Sequence, residues 1–328
     1  MKTKLFRIIS ISMLVILLLV LATVIAGAIA KSNLAKQHPA PGRLVDVGGY
    51  RLHINCMGQG SPTVILEAGW GGFSTTWTYI QPGVAKTTRV CSYDRAGYGW
   101  SEPSPHPRTA NMMAEELHTL LVNAEIKGPY VLVGHSLGGM IVRVYAYHHP
   151  DEVIGMVLVD STHEEQYLRT PEVETSIPAT VSQFRMLSLL SSTGFMALAP
   201  QSIPNPGMPD DLFALEKAIW ATTGYFSTGA AEMAALLDSA AEVRAMRITS
   251  FGNLPLSVLS AGLHPPLPSL SDAENQEFWR EQLAMQSELV ELSVNSVQTI
   301  AEQSGHAIQF DQPELVLDAI RQIVEAVR

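Results

Sequence analysis

The chain has 328 residues, 47% of them hydrophobic, which is enough to bury one large core or two modest ones and excludes a disordered polypeptide. Its 21 Lys and Arg against 31 Asp and Glu give a formal charge of -10, which argues against a nucleic-acid groove and against broad adhesion to anionic lipid. Any membrane attachment must therefore be hydrophobic.

Such an attachment is written at the N-terminus. Ile8 to Ala30 carries no charge and follows Lys2, Lys4 and Arg7, and about 20 apolar residues suffice to cross a bilayer as a helix. The rival reading is a cleaved signal peptide, since Ala28-Ile29-Ala30 has the small-x-small pattern and Lys31 would begin the mature chain. The apolar run exceeds the roughly 7 to 15 residues of a secretory h-region, which favours an uncleaved anchor. Residues 1–7 are then expected in the cytoplasm and the globular part outside, with Lys31, Lys36 and Arg43 nearly balancing the near-side cations. Residues 31–42 are polar with two prolines and read as a spacer.

From Arg43, LVDVGGYRLHINCMG reads as two strands around Gly48-Gly49, followed by short apolar runs in PTVILEAG and TRVCSYDRAG. A helix is expected over about Asn111 to Ala124. Tyr130 to Gly139 then reads YVLVGHSLGG, an apolar run giving way to the helix-like MIVRVYAYHH. A serine between glycines at a strand-to-helix junction is the nucleophile elbow. The chain must reverse within about two residues at strained φ/ψ, so Gly134 and Gly138 remove Cβ atoms that would collide and Ser136 is left at the strand tip. GMVLVD at 155–160 is a sixth strand. Residues 163–253 carry Met, Ala and Leu in helical spacing without a convincing strand, and read as an inserted cap between the core segments 43–162 and 254–328. Strand-like PLSVLS at 255–260, a helix from Asp272 to about Ser293, strand-like VQTIA and a helix from Pro313 restore the alternation, which implies crossover connections and a mainly parallel sheet.

Four segments, LEAGWGG, YDRAGYGWS, VGHSLGG and SGHAIQFDQPELV, give the chain from about residue 43 to 328 a resemblance to the α/β-hydrolase-fold superfamily, in its lidded group of serine hydrolases containing esterases and proline iminopeptidases. The resemblance implies an eight-stranded, mostly parallel sheet with a helical cap between strands six and seven, here preceded by a transmembrane helix. It also implies a triad in the chain order Ser, acid, His.

A serine hydroxyl needs a base, and His306, in a loop after the final strand, stands where the family's base resides. The acid is less direct. No carboxylate follows PLSVLS before Asp272, and Ser271-x-x-Glu274 is a capping box that assigns Asp272 to a helix start. Asp311 reads as an N-cap ahead of Pro313. Asp160, at the tip of the sixth strand, is an alternative acid position of the family, with Glu164 or Glu165 and Asp272 behind it. Oxyanion donors are expected from the backbone N–H groups of Leu137, next to the nucleophile, and of Trp70, in a loop where Ala68 replaces the family's histidine. Asp94 and Arg95 are expected to be architectural. Neighbouring second and fourth strands would bring Cys56 and Cys91 close, either bridged or as two buried thiols.

These residues imply hydrolysis of a small-molecule ester with an apolar part, or of an amide, through an acyl-enzyme intermediate. Ser136 disfavours the epoxide hydrolases and haloalkane dehalogenases of the same scaffold, whose nucleophile is an aspartate. No cofactor is expected, and no metal, because no further ligands cluster with His163. Met186, Met196, Met208, Met233 and Met246 with Phe184, Phe195, Trp220 and Phe226 are expected either to line an apolar cleft or to pack helix against helix. An aminopeptidase would need acidic cap residues for a substrate amine, for which Glu216, Glu232 and Asp238 are available. A noncatalytic binding protein is the alternative of another class. Oligomeric state is open.

Overall fold

The computed structural model describes residues 2–205, 207–268 and 270–328. Eight strands, β1 (Arg43–Asp46), β2 (Arg51–Met57), β3 (Thr63–Glu67), β4 (Val90–Tyr93), β5 (Tyr130–His135), β6 (Val153–Val159), β7 (Leu256–Ala261) and β8 (Ser296–Ala301), form one sheet in the order β1-β2-β4-β3-β5-β6-β7-β8. β2 runs antiparallel to β1 and β4, and all pairs from β4 to β8 are parallel. Parallel strands buried on both faces read as continuous apolar runs, as β3, β5 and β6 do. The two-residue period divides them. Val64, Leu66, Val131, Val133, Val157 and Val159 enter one core cluster, whereas Ile65, Leu132, Leu158 and Val258 enter the other.

Thirteen α-helical segments accompany the sheet among the described residues. α1 spans Lys2–Gln37. In the core lie α2 (Gln81–Val84), α3 (Ala110–Asn123), α4 (Leu137–His148), α11 (Asp272–Val290), α12 (Ile308–Asp311) and α13 (Pro313–Ala326). The cap between β6 and β7 holds α5 (Gln166–Arg169), α6 (Pro171–Ser192), α7 (Phe195–Leu198), α8 (Asp210–Thr222), α9 (Tyr225–Ala234) and α10 (Leu236–Met246). Two start signals differ in outcome. Ser271 and Glu274 form the reciprocal capping box. Asp311 instead ends α12 and accepts from Ser304 Oγ at 2.9 Å, leaving Gln312 as the cap of α13.

α1 is long and apolar enough over Lys4–Gln37 to cross a membrane. It continues through the first half of the expected spacer, because the first proline after it is Pro39 and Ala30 and Leu34 have an apolar surface to cover, the cap cluster containing Met196, Ala197 and Ile203.

Cys56 and Cys91 face each other across the β2–β4 pair and form a disulfide. Thiol labelling of the denatured, unreduced chain should find neither cysteine, and reduction should expose both; labelling without reductant would contradict the bridge. With a sequence separation of 35 between the cysteines, replacing both by alanine should lower unfolding stability by about 2–4 kcal/mol.

Candidate active site

The sheet's parallel topology brings the ends of β5, β6 and β7 to one edge, where ligands of open α/β sheets bind. Ser136 directly follows β5 and Asp160 directly follows β6, and the register pairs His135 with Val159. The Ser136 N–H donates to the Val159 carbonyl at 3.1 Å, and the Asp160 N–H to the Leu259 carbonyl at 2.7 Å. The reversal is strained: Ser136 sits at φ 52°, ψ -123°, and Asp160 at φ 41°. A Cβ on Gly134 would lie 2.5 Å from the Gly138 carbonyl oxygen, and one on Gly138 would lie 2.5 Å from the carbonyl oxygens of Glu67 and Ala68. Only glycine fits either place.

Asp160 and His306 meet. His306 Nδ1 is 2.6 Å from Asp160 Oδ2, and the other carboxylate oxygen accepts from the Ala261 N–H at 3.0 Å. Burial acts to raise the Asp160 carboxyl, but these two hydrogen bonds, with the imidazole's charge, hold it below the usual carboxylate range. Glu164 is turned away, donated to by Arg143 Nη1 at 2.7 Å. Glu165 directly precedes α5, and Asp272 starts α11. Ser136, Asp160, His306, Leu137 and Trp70 all line one cavity of about 400 Å³. No hydrogen bond joins the Ser136 hydroxyl to His306 among the described residues; contacts of this kind often tighten only around substrate.

The ring of His135, between Gly134 and Ser136, also takes part in the site. Burial, with His306 beside it, lowers its pKa to about 3, so it is neutral. Its Nε2 donates to the His306 carbonyl at 2.9 Å, and its ring lies 4.7 Å from that of His306 between centroids. The loop carrying His306 is thereby tied to the elbow.

Leu137 begins α4, so its N–H belongs to the first helical turn and has no intrahelical partner. The loop after β3 carries Trp70, whose indole N–H donates to the Gly229 carbonyl of α9 at 2.9 Å. Sequence reasoning did not foresee what holds this loop. Arg95, 2% exposed, donates to the carbonyls of Ala68 at 2.6 Å and Gly69 at 2.8 Å, and pairs with Glu67 at 2.7 Å and with Glu232 of α9 at 2.8 Å. Arg95 thus ties the backbone just before Trp70 to β3 and to α9. Asp94 has the architectural role expected, accepting from the N–H groups of Ser74 and Trp100.

The cavity is not lined as the methionine pattern suggested. Of those nine cap residues only Met233 reaches it. Met196, Trp220 and Phe226 are buried in the cap's own cluster, while Met186 and Phe195 are exposed. The apolar lining comes instead from Tyr167, Val173, Ile177 and Leu236 of the cap and from Phe278 and Trp279 of α11. Those two α11 residues were missed, although Phe278, Gln282 and Gln286 fall at helical spacing on one face. Glu216, Glu232 and Asp238 do not line this cavity. His118, His149 and Glu152 bring three ligand atoms within 4.8 Å of one another. Their two imidazoles stack 3.8 Å apart at 7°, so no ion lies in both ring planes as arranged.

A family profile described as alpha/beta hydrolase fold matches residues 62–199. An AB hydrolase superfamily protein of Gibberella zeae is 28% identical over 293 residues, spanning 81% of this chain and 87% of that protein. A thermophilic esterase from Thermogutta terrifontis superposes with a TM-score of 0.61 at 22% identity, covering 87% of this chain and 98% of that one. An epoxide hydrolase from Bacillus megaterium superposes with a TM-score of 0.64 at 16% identity, covering 86% and 100%. The first curated relatives matched are longer proteins, of which the chain spans 20% and 21%. The chain has the α/β-hydrolase fold, with eight strands, a helical cap after the sixth and a preceding apolar helix that fits a membrane anchor.

Glu216 yields a test of these surroundings. Its burial lifts the carboxyl to about 8, against hydrogen bonds from Thr75 and Trp220. A carboxyl whose folded pKa is raised contributes stability that is full below the unfolded value and lost as pH climbs through the folded one. Between pH 5 and 8 the wild type should therefore lose melting temperature that Glu216→Gln retains. Parallel profiles would contradict a neutral buried Glu216.

Proposed function

We propose that the protein is a membrane-anchored serine hydrolase that cleaves carboxylic esters through an acyl-enzyme intermediate, with residues 43–162 and 254–328 as its catalytic core and 163–253 as its cap. The observation that carries this reading is the 2.6 Å contact between His306 Nδ1 and Asp160 Oδ2 on the rim of the cavity that Ser136 also lines. Asp160 orients the imidazole and stabilises its charged form. The remaining nitrogen, Nε2, takes the Ser136 proton as Oγ attacks the ester carbonyl carbon. The N–H groups of Leu137 and Trp70 stabilise the oxyanion, the protonated imidazole gives its proton to the departing alcohol, and water activated by the same base releases the acid.

Three observations favour this version over its rivals. A serine, not an aspartate, occupies the elbow, which supports ester over epoxide hydrolysis. None of Glu216, Glu232 and Asp238 borders the cavity, and Glu232 is already paired with Arg95, which leaves a substrate amine without its acidic partner. An aligned Asp160–His306 pair has no purpose in a noncatalytic binding protein. The Cys56–Cys91 bridge supports an extracytoplasmic domain with the N-terminus in the cytoplasm. The packing of Ala30 and Leu34 on the cap supports retention of α1 over its removal as a signal peptide.

The cavity also offers a polar handle within its apolar walls. Gln286 Nε2 donates to the Ser161 carbonyl at 2.8 Å, which leaves Gln286 Oε1 as a buried acceptor without a partner, and Gln282 Nε2 as a buried donor without one. Both residues line the cavity, and buried polar atoms of this kind call for a partner. The preferred ester carries a neutral group that both donates and accepts, a carboxamide or a hydroxyl, away from the scissile carbonyl.

A fluorophosphonate probe should label the wild type and leave Ser136→Ala unlabelled; an unlabelled folded wild type would remove the enzyme reading. Asp160→Asn should keep the fold and lower kcat by roughly 10³ to 10⁴. Among p-nitrophenyl esters of equal length, those bearing an amide or a hydroxyl should exceed the hydrocarbon in kcat/KM, and Gln282→Met and Gln286→Met should shrink that ratio by about tenfold or more, the scale of one lost hydrogen bond. Equal losses on all the esters would reduce the glutamines to structural roles.

A further inference from the structure

The place where α1 leaves the cap fixes where the membrane surface must lie. Gly27 is buried, and a Cβ built on it would stand 2.6 Å from the Thr193 carbonyl oxygen and 2.7 Å from Gly194 Cα, so the helix backbone rests directly on the α6–α7 turn. The contact continues towards the core: Lys31 Nζ donates to the Ser191 carbonyl at 3.1 Å, and Ala30 and Leu34 pack on the cap cluster. Before Gly27 the apolar side chains of α1 are exposed back to Leu5. A bilayer core of about 30 Å takes about 20 helical residues, which runs from Gly27 back to Arg7. Arg7 and Lys4 then stand at the far interface. The near interface falls at Gly27, level with Gly194.

Around Gly194 the cap exposes apolar side chains. Met186, Leu189 and Leu190 lie one turn apart on α6, and Phe195 and Leu198 lie on α7; Leu189 is 70% exposed and Met186 58%. Single exposed apolar residues need no explanation, but a contiguous group does. Arg185, exposed one turn before Leu189, is placed to reach lipid phosphates while its stem stays apolar.

We propose that this face of α6 and α7 rests in the interfacial region of the bilayer that α1 crosses, so that the cap is held by two membrane contacts, a spanning helix and an apolar underside. The occupant is lipid because the patch is continuous with the helix that enters the lipid. The inference rests on retention of α1 as an anchor, and it goes beyond the hydrolytic reading, which it does not require.

The test uses the full chain in phosphatidylcholine vesicles. Both native cysteines are bridged, so a single engineered thiol can carry an environment-sensitive fluorophore at Leu189→Cys, at Leu198→Cys or, as a control remote from the patch, at Val294→Cys, where the side chain is 81% exposed. Emission at 189 and 198 should shift to the blue and be quenched several-fold more by lipids spin-labelled near the headgroup than emission at 294. Water-like, unquenched probes at 189 and 198 on carbonate-resistant vesicles would overturn the proposal while leaving the anchor intact. Release of the chain by carbonate would overturn the anchor and the proposal together. Blue-shifted probes that lipid does not quench, and that crosslink between copies, would overturn it in favour of a dimer face. Fluorophosphonate labelling of each variant reports separately whether the hydrolytic site survives.

Discussion

The tight reversal at Ser136 governs the rest of the site. Gly134 allows β5 and α4, and Gly138 allows α4 and the end of β3, to meet with backbone touching backbone, and the positive φ of Ser136 turns its side chain out of that junction. Such a conformation persists only if the neighbours over-determine it. The Val159 carbonyl takes the Ser136 N–H, and the Ser136 carbonyl receives the N–H groups of Gly139 at 2.9 Å and Thr162 at 3.0 Å. The segment carrying Asp160 is therefore bonded to the elbow on both sides. Strain at one residue fixes the spacing of two.

A second constraint joins this edge to the cap. Arg95 is a buried cation answered by two buried carboxylates, one from β3 and one from α9, and its remaining donors hold the loop bearing Trp70. A buried pair of this kind contributes little net stability but is costly to break, because a lone charge would be left without water, by about 3–5 kcal/mol. The cap is thus not a free lid at this point. Displacing α9 would strip a carboxylate from Arg95 and the Gly229 carbonyl from the Trp70 indole in the same movement. The loop bearing Trp70 and the cap move together or not at all.

The strands, the elbow, the inserted helices and the capping box at Ser271 were legible in the sequence, because each depends on local periodicity or on local backbone demands. Asp160 was singled out by assigning Asp272 and Asp311 to helix starts, a place that Asp272 has and that Asp311, at the end of α12, does not. What escaped was set by partners distant in the chain. Arg95 meets Glu232 across 137 residues, and His135 meets the His306 carbonyl across 171. The cavity wall escaped for a related reason. Methionine and aromatic residues at helical spacing mark an apolar face without saying what it faces, and most of these pack within the cap while α11, which reads as an ordinary capped helix, supplies Phe278 and Trp279.

Helix α6 joins the cavity to the foot of α1. Its first turns bring Val173 and Ile177 to the cavity, and its last turns carry Leu189 and Leu190 beside the foot of α1. From Ile177 to Leu189 is about 18 Å along a helix rising 1.5 Å per residue. If the end of α6 lies at the lipid surface, a substrate that reaches the cavity from the membrane must travel up to that distance along α6. A purely apolar substrate would gain little by making that passage. A substrate with one polar group would bear it better, and Gln282 and Gln286 offer that group a donor and an acceptor at the end of the route.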